Sequence, residues 1–570
     1  MPYELEPRYP IVGGTLEVEY GALAAEAAGV VPGVLAIDGP AAVDWTSFIG
    51  SLVAAIGHHN IRVQQIDVRT RLRDWSEIQQ QTETPTLRDD PVFARAPSGT
   101  LVDMFAALPA ASPRDAVTDP RAMEPLRIVF GPGAALAAHD ALWYVDLPKR
   151  VGLRAIEAGH AANLGQPLGE SGTARRLMFV DWPLEDRHRR TLVSRLARYI
   201  DLREVERPRS LRGDVLRRTL AALIGAPFRT RPAFLAQPWG GRWARDVLGA
   251  RESEPNAGLG YELIAPESGV LFGDGGDHIE VALDVVLAEH ADELLGAEVA
   301  RRFAGSFPIR FDYLDTVGGG DLSVHCHPRD AYMREVFGLP YAQDESYYVM
   351  VTRPGARIHI GLRDDADLAA FRAAAEHSQT DTVPLTIERF VNSLPAELHQ
   401  LYLIPAGTPH GSGEGNVVLE ISATPYAYSL RLYDWMRAGL DGTPRAVQLE
   451  HAFANLDTRR RGNNVASELV PRATPVRKSV GFTEHAIGRH PELFFAVNRL
   501  EIDDAADDDT AGRFHVLNLV AGDGVLLRTA SGREHRLSYA ETIVVPAGVG
   551  TYTIARTGGS SAKVVKAFVT

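Results

Sequence analysis

The sequence predicts a multidomain protein: an N-terminal α/β domain on a mostly parallel sheet, then two β-rich units, the first carrying a helical insert. Three observations predict it. Apolar β-rich runs ending at Gly or Asp alternate with helical patterns from residue 30 onward; Pro, Gly and strand patterns take over after residue 226; and a second strand-rich block with Gly turns fills 478–570. At about 100 to 200 residues per domain, the 570-residue chain has room for several such units.

In the first unit, residues 1–226, VLAIDG (34–39), VQQIDV (63–68), LRIVFG (126–131), ALWYVDL (141–147) and LMFVDW (177–182) read as strands. Helical stretches such as WTSFIGSLVAAIGHH lie between them, so the βαβ rule predicts a parallel sheet covered on both faces by helices. TETPTLRDDPVFARAPSG and PAASPRDAVTDPRAMEP read as long loops able to reach another domain. SLRGDVLRRTLAALIG (210–225) reads as a helix that closes the unit.

GVLAIDGPAAVDWTSFIGSL resembles the first strand and turn of a uridine-kinase-like P-loop domain, and ALWYVDLPKRVGLRAIE resembles a later strand of that family. A working loop supplies backbone N–H groups, a Lys and a hydroxyl to a nucleotide phosphate and its Mg²⁺. Gly39 and Thr46 fit, but Asp44 and Trp45 stand at the second Gly and the Lys; an acid repels phosphate and an indole cannot neutralise it. The expectation is a degenerate P-loop scaffold with no nucleotide-binding residues.

The composition narrows the function. With 59 basic against 73 acidic residues and a net charge of −14, the chain is not built for a polyanion, so no nucleic-acid partner is expected. Cys326 is the one cysteine, which excludes an intrachain disulfide and fits a reducing cytoplasm. The N-terminal stretch has no signal-peptide pattern, and the longest apolar run, broken by Glu26 and Pro32, is too short for a membrane span; a cytoplasmic protein with no membrane partner is expected.

The second unit, 227–477, carries the chemistry; its helical insert is HIEVALDVVLAEHADELLGAEVARRF. In LSVHCH, His325 and His327 fall two apart in a strand, on one face, with Cys326 turned to the other as a packed residue. Glu345 precedes the strand SYYVMV, and His410 follows LYLIPAGTP. Three imidazoles and a carboxylate brought together from several strands suit Zn²⁺ or a similar ion, one per chain.

PWGG (238–241), DLSVHCHPRD (321–330), the ESYYVM strand, IPAGTPH (404–410) and RLYDW (431–435) together resemble the type I mannose-6-phosphate isomerases, which are cupin proteins. The resemblance covers 230–570 and implies two jelly-roll domains. It makes His327, Glu345 and His410 metal ligands, with His325 where some members have a Gln ligand. It implies Arg431 as a catalytic cation and Ser323, Gln343 and Trp239 as substrate-binding residues. An N-terminal α/β domain is not part of the family's usual forms.

This sequence departs from the family at three places: Asp312 and Gln343 stand where lysines are expected, and Ser412, if anything, stands for a tyrosine. Asp312 and a metal-bound water are the candidates for the general base. In the third unit, 478–570, VVPAGVGTY repeats IPAGTPH with Thr551 in place of His410, so this barrel is expected to bind no metal. The implied activity is interconversion of mannose 6-phosphate and fructose 6-phosphate through a cis-enediol. The alternatives are isomerisation of another sugar, phosphorylated or not, or a non-catalytic metal-stabilised sugar-binding or regulatory role.

Overall fold

Five parallel strands set the first domain: Val63–Asp67, Leu126–Phe130, Gly33–Asp38, Ala141–Asp146 and Arg198–Asp201, in that spatial order. Arg209–Arg212 and Glu17–Val18 extend the sheet antiparallel at one edge. This is a computed structural model, and it describes residues 2–108, 125–167, 169–251, 253–380 and 383–570. The loop reading of 109–125 falls almost wholly outside these residues.

Two sequence expectations are corrected. LMFVDW is not a strand: Leu177–Asp181 is a single π-turn continuing into the helix Trp182–Arg190. The fifth parallel strand is instead Arg198–Asp201, a short run whose charged ends, an arginine and an aspartate, hide its β character. SLRGDVLRRTLAALIG is not all helix either, since the strand Arg209–Arg212 precedes the helix Gly213–Leu223.

One face of the sheet is covered by its own helices, Tyr20–Ala28 and Trp45–Gly57, whose Leu23, Phe48, Leu52 and Ile56 pack on Leu35, Ile128 and Val145. On the other face, Leu142, Tyr144, Tyr199 and Leu211 join a core shared with Phe272, Val281 and Leu287 of the second unit. The helical insert, Leu283–Leu295 and Ala297–Arg302, docks there.

In the turn after Gly33–Asp38, Asp44 caps the following helix by accepting from Ser47 N at 3.0 Å, a bond worth about 1 kcal/mol. Trp45 is buried against Phe48 and Phe130. Ala41 N donates to Glu185 at 2.7 Å, and Asp38 accepts from Gly39 N, Gly133 N and Ala135 N while pairing with His188 at 2.9 Å. Carboxylates of the domain itself take these amide donors.

The second unit packs two antiparallel sheets face to face. One runs Leu401–Ile404, Glu345–Thr352, Asn416–Ala423, Ile309–Asp315, Leu259–Leu263 and Ala233–Leu235; the other runs Val391–Pro395, Arg357–Leu362, His410–Ser412, Val324–Cys326 and Leu430–Tyr433. The third unit repeats the two-sheet plan, but its first strand, Thr474–Ser479, begins ahead of the expected boundary at 478. Thr551 is exposed at the start of Thr551–Arg556.

The expected 1–226 unit also loses its first residues to the others. Arg8–Tyr9 pairs parallel with Leu271–Phe272, Tyr3 OH donates to Glu262, Glu4 N donates to Glu541 at 2.7 Å, and Arg229 N donates to Tyr9 OH at 2.6 Å.

Inside the third unit, His515 shares a hydrogen bond with Tyr552 OH at 2.7 Å. Burial, with the Lys566 ammonium nearby, holds its imidazole down at about 4. The unfolded chain, titrating near pH 6.5, then binds the proton more readily, so this contribution is complete above about pH 6.5 and drains as pH falls to about 4. We expect the melting temperature to fall across that window. His515→Gln, which keeps a polar partner for Tyr552 without the titration, should flatten the fall by up to about 3 kcal/mol; parallel thermal melts from pH 4 to 7 check it.

Candidate metal and sugar site

Period-two alternation in the strand Val324–Cys326 sends His325 inward and buries Cys326 on the opposite side, its thiol near the Ala452 carbonyl at 3.6 Å. Cross-strand register then places His325 opposite His410 on one neighbour and Arg431 on the other. Glu345 opens the strand Glu345–Thr352 of the facing sheet, and His327 lies just past Cys326. One ligand atom from each of His325, His327, Glu345 and His410 lies within 4.8 Å of the others, and all four side chains are buried.

The histidine rings are oriented by the backbone. His325 Nδ1 faces the Ser323 carbonyl at 2.9 Å, His410 Nδ1 the Thr408 carbonyl at 2.9 Å, and His327 Nδ1 the Tyr428 carbonyl at 3.3 Å. A carbonyl only accepts, so each Nδ1 carries the proton and each Nε2 keeps its lone pair. Burial and the neighbouring imidazoles push His325 well below the ordinary range, which keeps it neutral. His327 Nε2 and His410 Nε2 then face the same Glu345 oxygen at 2.7 and 3.0 Å. Lone pairs opposed to a carboxylate at this range call for a cation between them. His410 Nε2, buried and without a hydrogen-bond partner, points the same way, so the donor set fits a borderline divalent ion.

Beside this cluster lies a cavity of about 170 Å³. Trp239, Asp312, Ser323, Gln343 and Arg431 all line it together with His325, His327 and Glu345. Asp312 is buried, has no hydrogen-bond partner at Oδ1, and is pushed up to about 6 by burial, Arg310 opposing and Glu345 adding. The Gln343 amide fits with its nitrogen toward the Pro425 carbonyl at 3.0 Å and its oxygen toward Arg310 at 2.8 Å. Ser323 Oγ sits 3.4 Å from His325 Nδ1. Ser412 Oγ accepts from Asn416 at 3.2 Å. Arg431 donates to the Ala446 carbonyl at 3.2 Å, and burial in the company of Arg445 lowers it to about 10. Asp434 is held by Arg445 at 2.6 Å.

Sequence reasoning missed Arg310, Tyr347 and Glu420. Register places Glu420 opposite Asp312 on one side and Tyr347 on the other. Arg310 ion-pairs with Glu420 and donates to Ser422 at 2.6 Å, and the buried Tyr347 hydroxyl has no partner. Their signal was present: Arg310 and Asp312, Glu345 and Tyr347, Glu420 and Ser422 are polar pairs at i, i+2 in otherwise apolar strands. They form a buried polar ladder across three adjacent strands.

A family model described as a domain of unknown function, DUF8485, matches residues 19–225. The chain is similar to the mannose-6-phosphate isomerase of Streptococcus mutans serotype c, 26% identical over 314 residues, which is 54% of this chain and 88% of that protein. It is similar also to the probable mannose-6-phosphate isomerase GmuF of Bacillus subtilis, 23% identical over 331 residues, covering 58% and 96%. Among solved structures, the mannose 6-phosphate isomerase from Bacillus subtilis is 21% identical, with 60% of this chain and 99% of that one covered at a TM-score of 0.49. The two curated relatives support an isomerase enzyme. The described residues include no helix long and apolar enough to cross a membrane.

Proposed function

We propose that this protein is a metal-dependent aldose–ketose isomerase of the cupin type, interconverting mannose 6-phosphate and fructose 6-phosphate through a cis-enediol. The observation that carries the reading is the ring of oriented Nε2 lone pairs on the Glu345 carboxylate, opening on a cavity lined with acid, amide and arginine groups. The two curated relatives support the same reaction class.

His325, His327, Glu345 and His410 would hold the ion, which when bound supplies Lewis-acid stabilisation of charge on the sugar oxygens. The remaining chemistry belongs to the chain. A carboxylate must take the proton from C2 of the aldose and return it to C1, while the hydroxyl proton passes from O2 to O1. Asp312, buried with no hydrogen bond at Oδ1 and with Arg310 Nε 3.7 Å from that oxygen, is our choice of base, and Glu420 beside it is held more closely by the same Arg310. Arg431 offers fixed positive charge to the enediolate oxygens. Trp239, Ser323 and Gln343 orient the sugar. The α/β domain serves as a scaffold without a nucleotide, and the third unit packs and shields.

One observation favours a second sugar within the same chemistry. Asp312 and Gln343 line the cavity where the family's lysines are expected, which at those two positions suits a hydroxyl group better than phosphate, while Arg310, Arg431 and Arg445 supply the cavity's positive charge. Steady-state turnover of phosphorylated and free mannose and fructose, with metal content measured on the same sample, tests both readings. About one divalent ion per chain and turnover of mannose 6-phosphate are expected. Turnover of free sugars alone selects the second reading, and metal-loaded protein that isomerises none of them overturns both.

A further inference from the structure

Among the described residues, one side chain lining the site cavity comes from the α/β domain: Met178. The same residue, with Tyr426 and Ala427, also lines a neighbouring cavity of about 270 Å³ in the cleft between that domain and the second unit. Met178 therefore stands between two spaces. It sits in the π-turn Leu177–Asp181, a helical irregularity of the kind that re-aims a side chain. Leu177, Phe179 and Val180 on either side are buried and fix the turn.

The wall facing Met178 is fixed as well. The Phe179 ring packs on Tyr428 at 5.2 Å, and Phe93 stacks on Tyr428 at 5.9 Å with an interplanar angle of 14°. Phe93 lies in the long loop TETPTLRDDPVFARAPSG, which also ties to the second unit through Ala96 N to the Phe337 carbonyl at 2.9 Å and Asp90 to His451 at 2.9 Å. Cavity wall and plug are thus held by one aromatic cluster. Methionine offers apolar, adaptable contact and nothing for a sugar hydroxyl to bond.

We propose that Met178 is a specificity-determining residue lent to the catalytic cavity by the N-terminal domain, closing it against the interdomain cleft and limiting the substrate to a single sugar ring. This rests on the isomerase reading and deepens it. Met178→Ala joins the two spaces, and Met178→Trp fills the near one. For mannose 6-phosphate, free mannose and a β-1,4-linked mannobiose, Met178→Ala is expected to raise kcat/KM of the disaccharide relative to the monosaccharides about tenfold or more. Met178→Trp is expected to raise KM for all of them by a similar factor.

A readout independent of turnover uses the fact that the native cysteine, Cys326, is buried, with burial pushing its thiol up. The thiol introduced by Met178→Cys should react with a charged methanethiosulfonate, and saturating mannose 6-phosphate or mannose should slow labelling about tenfold. Protection without any turnover by the wild type upholds the wall and overturns the isomerase reading. Labelling rates unchanged by either sugar, or substrate ratios that stay within about twofold of wild type in both variants, overturn the assignment of Met178.

Discussion

His327→Ala is expected to empty the metal site, lowering retained divalent ion from about one per chain to a small fraction and turnover by about 1000-fold or more. The variant removes the imidazole whose Nε2 lies 2.7 Å from Glu345 and leaves that carboxylate buried beside one fewer partner. Cys326→Ser, one residue away, is the matched control. Its side chain points into the apolar core with Val324, Leu430 and Leu432, so it should keep its metal and lose only some stability. Elemental analysis of both proteins after incubation with Zn²⁺ decides the matter. Equal metal in the two, or wild-type protein that takes up none, would refute the ligand set.

Arg431→Ala is expected to lower kcat about 100- to 1000-fold, as for removal of one charge-stabilising donor, with metal content and melting temperature unchanged. A purely structural arginine would be paired with Asp434, but Asp434 has Arg445 at 2.6 Å, and Arg431 spends its visible hydrogen bond on a backbone carbonyl. Arg445→Ala should therefore show the opposite pattern, a lower melting temperature from an unpaired, nearly buried Asp434. Loss of stability with intact turnover in Arg431→Ala would remove that residue from the chemistry.

The clustering of three histidines with Glu345 was legible because it depends on two local rules, alternation along a strand and the turn IPAGTPH that delivers His410. The flanking polar ladder was not read, since Arg310 and Glu420 meet only through the register of Ile309–Asp315 with Asn416–Ala423, which single strands do not encode. In the α/β domain, β-branched and aromatic runs gave four of the parallel strands. LMFVDW failed because its apolar residues serve several neighbours at once: Phe179 faces the second unit, while Leu177 packs on Trp182 and Ile156 of its own domain. Arg198–Asp201 was missed because Arg198 is buried by pairing with Glu17 and Glu26, a compensation visible only in three dimensions.

The N-terminal tail sets an order on synthesis. Glu4 waits for Glu541, 537 residues further along the chain, and Arg8–Tyr9 waits for Leu271–Phe272. The α/β domain can condense on its own residues as it leaves the ribosome, whereas the tail has to stay loose until nearly the whole polypeptide exists. Closing so long a loop adds only a logarithmic entropy cost, so the tail's return is late in time more than it is expensive. It is the clasp fastened last, and trimming it should slow no early folding step while removing one tie among three units that also share a core.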